Sequence, residues 1–148
     1  MKKRAYKSGT IWCFWRWTEV QSEYITRLHV IKTPWWAICI HWINKPDPEP
    51  FLHDHPVSFL SIILRGGYSE KIGIGILTNP WEHVYRSARH NWFNWIPSSH
   101  KHTITDVDPG TVTLCFMGLK TREWGFTTPE GWIMWKDYYA NLAKWRKP

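Results

Sequence analysis

Residues 36–43 constrain this chain more than any other stretch. In Trp36-Ala37-Ile38-Cys39-Ile40-His41-Trp42-Ile43, positions 36, 38, 40 and 42 fall on one side, and 37, 39, 41 and 43 on the other. That is the two-residue period of a strand and not the 3.6-residue period of a helix. The pattern repeats along the chain as short apolar runs punctuated by turns. Tyr24 to Ile31 reads as a strand that stops at Lys32-Thr33-Pro34, and Asn44 to Pro50 reads as a Pro-rich loop. His53 to Leu64 reads as a long strand, Gly66-Gly67 as a hairpin turn and Tyr68 to Ile72 as the returning strand. Further strands are predicted at 82–86, 92–96, 102–105, 111–117 and 121–126, and one helix at about Met134 to Lys144. About eight short antiparallel strands followed by a short C-terminal helix predict an all-β jelly-roll barrel or sandwich.

Length and composition narrow the function classes. The 148 residues suit one domain, with no linker or repeat to divide them. No apolar run approaches the roughly 18 residues of a membrane span, and no signal peptide is legible, so a cytoplasmic protein is expected. Cys13, Cys39 and Cys115 are odd in number and have no CxxC spacing, which argues against a disulfide framework and against a thiolate zinc site. The charge of +7 invites a nucleic-acid reading, but Lys2, Lys3, Arg4, Lys7, Lys144, Arg146 and Lys147 account for all of it. Between residues 11 and 140 there are 12 basic and 12 acidic side chains. The excess sits on two tails, about 1–10 and 141–148, and nucleic-acid contact is expected only there, if at all.

The histidines carry the chemistry. Two HxH pairs occur, His53-Asp54-His55 and His100-Lys101-His102. Two imidazoles two residues apart on a strand project from one face and can reach a single ion, with a third ligand needed from elsewhere. His29, His41, His83 and His90 have no such spacing, and His41 reads as a core histidine. The GIG of Gly73 to Gly75 lacks the strand–turn–helix setting of a dinucleotide fingerprint.

The stretch PFLHDHPVSFLSIILRGGYSE, followed by IPSSHKHTI, resembles the cupin superfamily. The first cupin motif, G-x5-HxH-x3,4-E-x6-G, is matched by His53, His55 and Gly66 or Gly67. The second, G-x5-PxG-x2-H-x3-N, is matched by Pro97 to His102, with Ser99 in place of the glycine. The resemblance implies a single cupin jelly-roll over residues 1–148 and His53, His55 and His102 as metal ligands. The motif's glutamate falls at Phe59 or Leu60, neither of which binds metal. Three readings therefore stay open: a three-histidine centre like that of the cysteine dioxygenase branch, one that Glu70 joins from the next strand, or a cupin that has lost its metal. A longer string, from Tyr24 to Glu70 with Lys120 to Phe126 and Gly131-Trp132, is similar to small cupins of phage and prophage genomes, which implies a host-cell cytoplasm.

These readings lead to three functions. The first is a metal-binding cupin acting as a mononuclear non-haem iron(II) oxygenase on a small polar or acidic substrate; zinc, nickel and manganese are the alternative ions. In it, Arg122 or Arg86 orients an acidic group, and Tyr68 or Glu70 supplies a proton or hydrogen bond. The second is a non-catalytic binder of a small metabolite or nucleotide-like ligand. The third is sugar-nucleotide epimerase or isomerase chemistry, with a histidine base and Tyr68 as acid. On the strand of His53 and His55, Val57, Phe59 and Ser61 are expected to share the ligand face. A homodimer is expected from cupin edge strands.

Overall fold

Each apolar run forms a strand, and the strands stack in two antiparallel sheets. The computed structural model describes residues 13–20, 24–73 and 81–145. Its elements are β1 (Cys13–Val20), β2 (Ile25–Lys32), β3 (Ala37–Ile43), β4 (Leu52–His53), β5 (Val57–Arg65), β6 (Gly67–Gly73), β7 (Trp81–Ser87), β8 (Phe93–Ile96), β9 (His102–Val107), β10 (Thr111–Lys120), β11 (Gly125–Thr128), β12 (Gly131–Met134), α1 (Trp135–Ala140) and α2 (Leu142–Trp145). One sheet runs β1-β2-β3-β10-β5-β8 and the other β12-β11-β4-β9-β6-β7. This is a jelly-roll with two short helices at its C-terminal end.

The alternation of β3 resolves in an unexpected sense. Ala37, Cys39, His41 and Ile43 are the buried side, and Ile38, Ile40 and Trp42 are only half-buried. The bulky residues therefore face out and the smaller or polar ones face in. The neighbouring strands continue this: Cys39 pairs with Cys115 of β10, and Cys115 pairs with Ser61 of β5. Small and polar inward residues on three adjacent strands cannot fill a barrel. That deficit leaves a cavity at one end, while Ile43, Ile63, Tyr68 and Ile104 pack together as a hydrophobic cluster.

Gly66 does not make a hairpin. β5 pairs with β10 and β8, whereas β6 pairs with β7 and β9, so the chain crosses from one sheet to the other at this point. Gly66 has φ of 69°, and a Cβ there would lie 2.5 Å from Thr111 Oγ1. The Gly-Gly pair thus serves a tight crossover rather than a two-residue turn. Three further differences are local. The run from His53 is broken at Asp54 to Pro56, the late strand spans 125–128 rather than 121–126, and the helix is split at Asn141. β1 and β12 lie outside the expected strands.

No helix among the described residues is long and apolar enough to cross a membrane. Residues 1–10 of the first basic tail, Arg146 and Lys147 of the second, and Gly75 of the GIG lie outside the described residues, as does the side chain of Cys13. Lys144 is described, and its ammonium lies 2.7 Å from Glu130 and 4.7 Å from the Trp145 ring centre.

Candidate metal centre

The first histidine pair is fixed by the shortest strand among the described residues. β4 has two residues and lies between β11 and β9, with His53 opposite Phe126 on one side and His102 on the other. Residues directly opposite across an antiparallel pair present their side chains on the same face. His53 and His102 are therefore neighbours by register, with ring centres 4.9 Å apart. His55 follows where the strand has ended. Its backbone N–H donates to Ser98 O at 3.0 Å, and Ser98 N–H donates to Ser58 Oγ at 2.9 Å. These bonds tie the two sequence motifs together and bring the His55 ring to 4.9 Å from His102 and 5.3 Å from His53.

Asp54, between the two histidines, faces the other way and holds the loop. It is 2% exposed. Its carboxylate accepts from Gly125 N–H at 2.8 Å and Trp132 Nε1–H at 2.9 Å, and Arg122 Nη2 lies 2.7 Å away. Arg122 is thereby placed on the outer side of the HxH loop.

One ligand atom from each of His53, His55 and His102 lies within 4.8 Å of the other two. His55 Nε2 and His102 Nε2 are 2.9 Å apart. Two nitrogens about 2.1 Å from one ion and at right angles to each other sit about 3.0 Å apart, so this spacing fits adjacent corners of one coordination sphere. The protonation also fits. Burial lowers the His53 pKa to about 4, opposed by the Asp47 carboxylate and helped by the neighbouring histidines. Burial, then His102 and His53, push His55 well below the ordinary histidine value. Both rings are neutral at pH 7, the form that ligates metal.

Glu70 stands behind His102. It is fully buried, and its Oε2 lies 2.5 Å from His102 Nδ1 while its Oε1 accepts from Arg86 Nε. Burial alone opposes its ionisation, but the bonds from His102 and Arg86 prevail and hold its pKa at about 2. An ionised Glu70 fixes the proton of His102 on Nδ1 and turns the Nε2 lone pair toward His53 and His55. Glu70, His100 and His102 form a second group with convergent ligand atoms. In that group the ligating nitrogen of His102 faces Glu70, and Arg86 already supplies the positive charge.

The three histidines line one end of a cavity of about 300 Å³. Val57, Phe59 and Ser61 line it as the strand pattern predicted, together with Tyr68 and Trp124. Tyr68 is 3% exposed, and burial, then the Glu70 charge, raise its phenol pKa, so it is a neutral O–H donor at any physiological pH. Arg86 and Arg122 are not in the cavity wall; Arg27 is. Its position on β2, opposite His41 of β3, was not singled out by sequence. The available signal was a charge in the middle of the apolar run YITRLHVI. His41 is a satisfied core histidine, accepting from Arg27 Nε at 2.8 Å.

No protein-family model matches the chain, and no curated protein matches its sequence. Solved structures do match. KdgF from Halomonas sp. superposes with a TM-score of 0.51 and 16% identity over 72% of this chain and 94% of its own. Oxalate decarboxylase from Bacillus subtilis superposes with a TM-score of 0.54 and 12% identity, over 93% of this chain and 35% of its own. The capsular polysaccharide assembling protein CapF from Staphylococcus aureus gives 0.53 and 16% identity, over 70% of this chain and 31% of its own. At such identities the likeness is one of fold. Together with the two-sheet topology, it shows that this chain shares their jelly-roll fold, and the clustered histidines of that fold could hold a metal ion.

Proposed function

We propose that the protein is a metal-dependent enzyme in which His53, His55 and His102 hold one divalent ion, iron(II) foremost, for oxygenase chemistry on a small polar or acidic substrate. The observation that carries this reading is the convergence of three imidazoles in the wall of one cavity, with the third oriented from behind by Glu70. Three protein ligands leave positions on a bound ion for O2 and for substrate, which is the chemistry such a centre supplies. The chain's own residues do the rest. Glu70 and Arg86 keep His102 in one tautomer, and Asp54 with Arg122 holds the HxH loop. Tyr68 offers a hydrogen bond from the cavity wall, and Phe59 and Trp124 add aromatic surface to it.

The test is oxygen uptake. Iron(II)-loaded protein is expected to consume O2 when given a member of a panel of small acids, and His102→Ala is expected to abolish the uptake. A ligand that binds and is recovered unchanged in the presence of iron(II) and O2 replaces the enzyme reading with a binding module.

The homodimer belongs to the same proposal. Phe93, Trp95 and Phe116 are exposed by 54%, 60% and 40% on the outward side of β8 and β10, where Leu60 of β5 lies between Trp95 and Phe116. An apolar sheet face of this kind suits a two-fold contact with a second copy. Light scattering of the purified protein is expected to give twice the 17.8 kDa chain mass.

A further inference from the structure

We propose that Arg27 is the anion anchor of the cavity and that the ligand it selects is a small carboxylate. The inference rests on the cavity being the ligand site, as proposed above, and holds with or without turnover.

Arg27 is half-buried on β2 and shares the cavity wall with His53, His55 and His102. Its Nε–H donates to His41 Nε2 at 2.8 Å. With Nε2 accepting, the His41 proton sits on Nδ1, which lies 3.6 Å from Cys115 Sγ. The guanidinium is therefore held from one side by a buried ring that is itself held. This spends Nε and leaves the two terminal nitrogens, a parallel pair of N–H groups that matches the two oxygens of a carboxylate.

No carboxylate among the described residues pairs with Arg27. Asp47, Glu49 and Asp54 line the same cavity, and each is engaged with another partner. Asp47 Oδ2 accepts from Ile104 N–H at 2.6 Å, and Asp47 also bonds with Tyr24. Glu49 Oε2 accepts from Tyr138 O–H at 2.9 Å. Glu70 is paired with Arg86 and Asp54 with Arg122. The Arg27 guanidinium therefore faces the cavity with no carboxylate paired to it among the described residues. A cavity of about 300 Å³ is at the lower end of ligand sites, which limits the partner to a small molecule. Because Arg27 and the histidines share one wall space, a carboxylate on Arg27 places the remainder of a short molecule among the three rings.

The experiment titrates metal-free and iron(II)-loaded protein with acetate, pyruvate, succinate and benzoate, with their neutral amides, and with inorganic phosphate, following binding by calorimetry and melting temperature. At least one carboxylate is expected to bind and its amide not to. Arg27→Met is expected to weaken that carboxylate about ten-fold or more, with Arg27→Lys recovering part of the loss. Circular dichroism and metal content of the variants check that the barrel is intact. If Arg27→Met does not fold, the wild-type comparison of acid and amide still decides. The proposal is overturned if amides bind as well as acids, if phosphate is preferred, if no carboxylate binds at millimolar concentration, or if Arg27→Met binds unchanged. Carboxylate selection without O2 uptake in the iron(II) form would sink the oxygenase reading and leave Arg27 standing. Uptake driven by neutral substrates and unaffected in Arg27→Met would do the reverse.

Discussion

Glu70 Oε2 lies 2.5 Å from His102 Nδ1, and on the far side of the same ring His102 Nε2 lies 2.9 Å from His55 Nε2. A single imidazole thus connects a buried ion pair to the cavity. The orientation of His102 is set from behind, by a carboxylate that His102 itself and Arg86 together hold ionised.

Glu70→Gln should therefore weaken metal binding without removing any of His53, His55 or His102. The loss of a carboxylate partner behind a ligating histidine costs about 10–100-fold in metal affinity. Competition with a chromophoric chelator measures it. Glu70→Ala should also leave Arg86, whose side chain is 14% exposed, without its anion, at a cost of about 3–5 kcal/mol in urea unfolding. Unchanged affinity in Glu70→Gln would mean that His102 is oriented by packing alone.

Acid should destabilise the metal-free protein in two windows. His53 has a folded pKa of about 4 against 6.5 for the free side chain, so between these values the unfolded chain binds the proton and the folded one does not. Stability is full above pH 6.5 and falls as pH drops toward 4, by about 3 kcal/mol for this group. His55 adds to the loss in the same direction. Glu70, lowered from 4.5 to about 2, contributes stability above pH 4.5 that is lost as pH falls through 2. Urea midpoints across this range should decline steadily below pH 6.5. A midpoint that rises or stays level between pH 6.5 and 4 would contradict the buried, neutral histidines.

Gly125 should tolerate substitution worse than Gly131. A Cβ on Gly125 would lie 2.1 Å from the backbone oxygen of Ile133, whereas one on Gly131 meets nothing within 4 Å and suffers only from its φ of +107°. Gly125 also bonds Asp54 through both its N–H and its carbonyl, so its displacement loosens the HxH loop. Gly131→Ala should cost about 1 kcal/mol or somewhat more and keep full metal content. Gly125→Ala should melt lower and bind metal more weakly.

The sequence was most informative where chemistry follows spacing. The HxH pair and the resemblance around Pro97 to His102 picked out the three histidines that converge, and the two-residue period placed Val57, Phe59 and Ser61 on the cavity side. What stayed hidden depends on register between distant strands. Arg27 sits between Thr26 and the buried Leu28 in a run apolar on both faces, so alternation alone could not say which side looks into the barrel. Glu70 was seen as a candidate, but its pairing with Arg86 and His102 arises from β6 lying between β7 and β9. Gly66-Gly67 carries hairpin chemistry, yet β5 finds its partners in β8 and β10, and the glycines serve the crossing between sheets.

The central claim is that His53, His55 and His102 hold one metal ion, and metal analysis of protein purified without chelator tests it most directly. About one equivalent of a divalent metal should accompany the wild type and His100→Ala. It should be lost on His53→Ala, His55→Ala or His102→Ala while the fold, by circular dichroism, is retained. Wild-type protein without metal, even after incubation with iron(II), or metal lost on His100→Ala and kept on His53→Ala, would contradict the account.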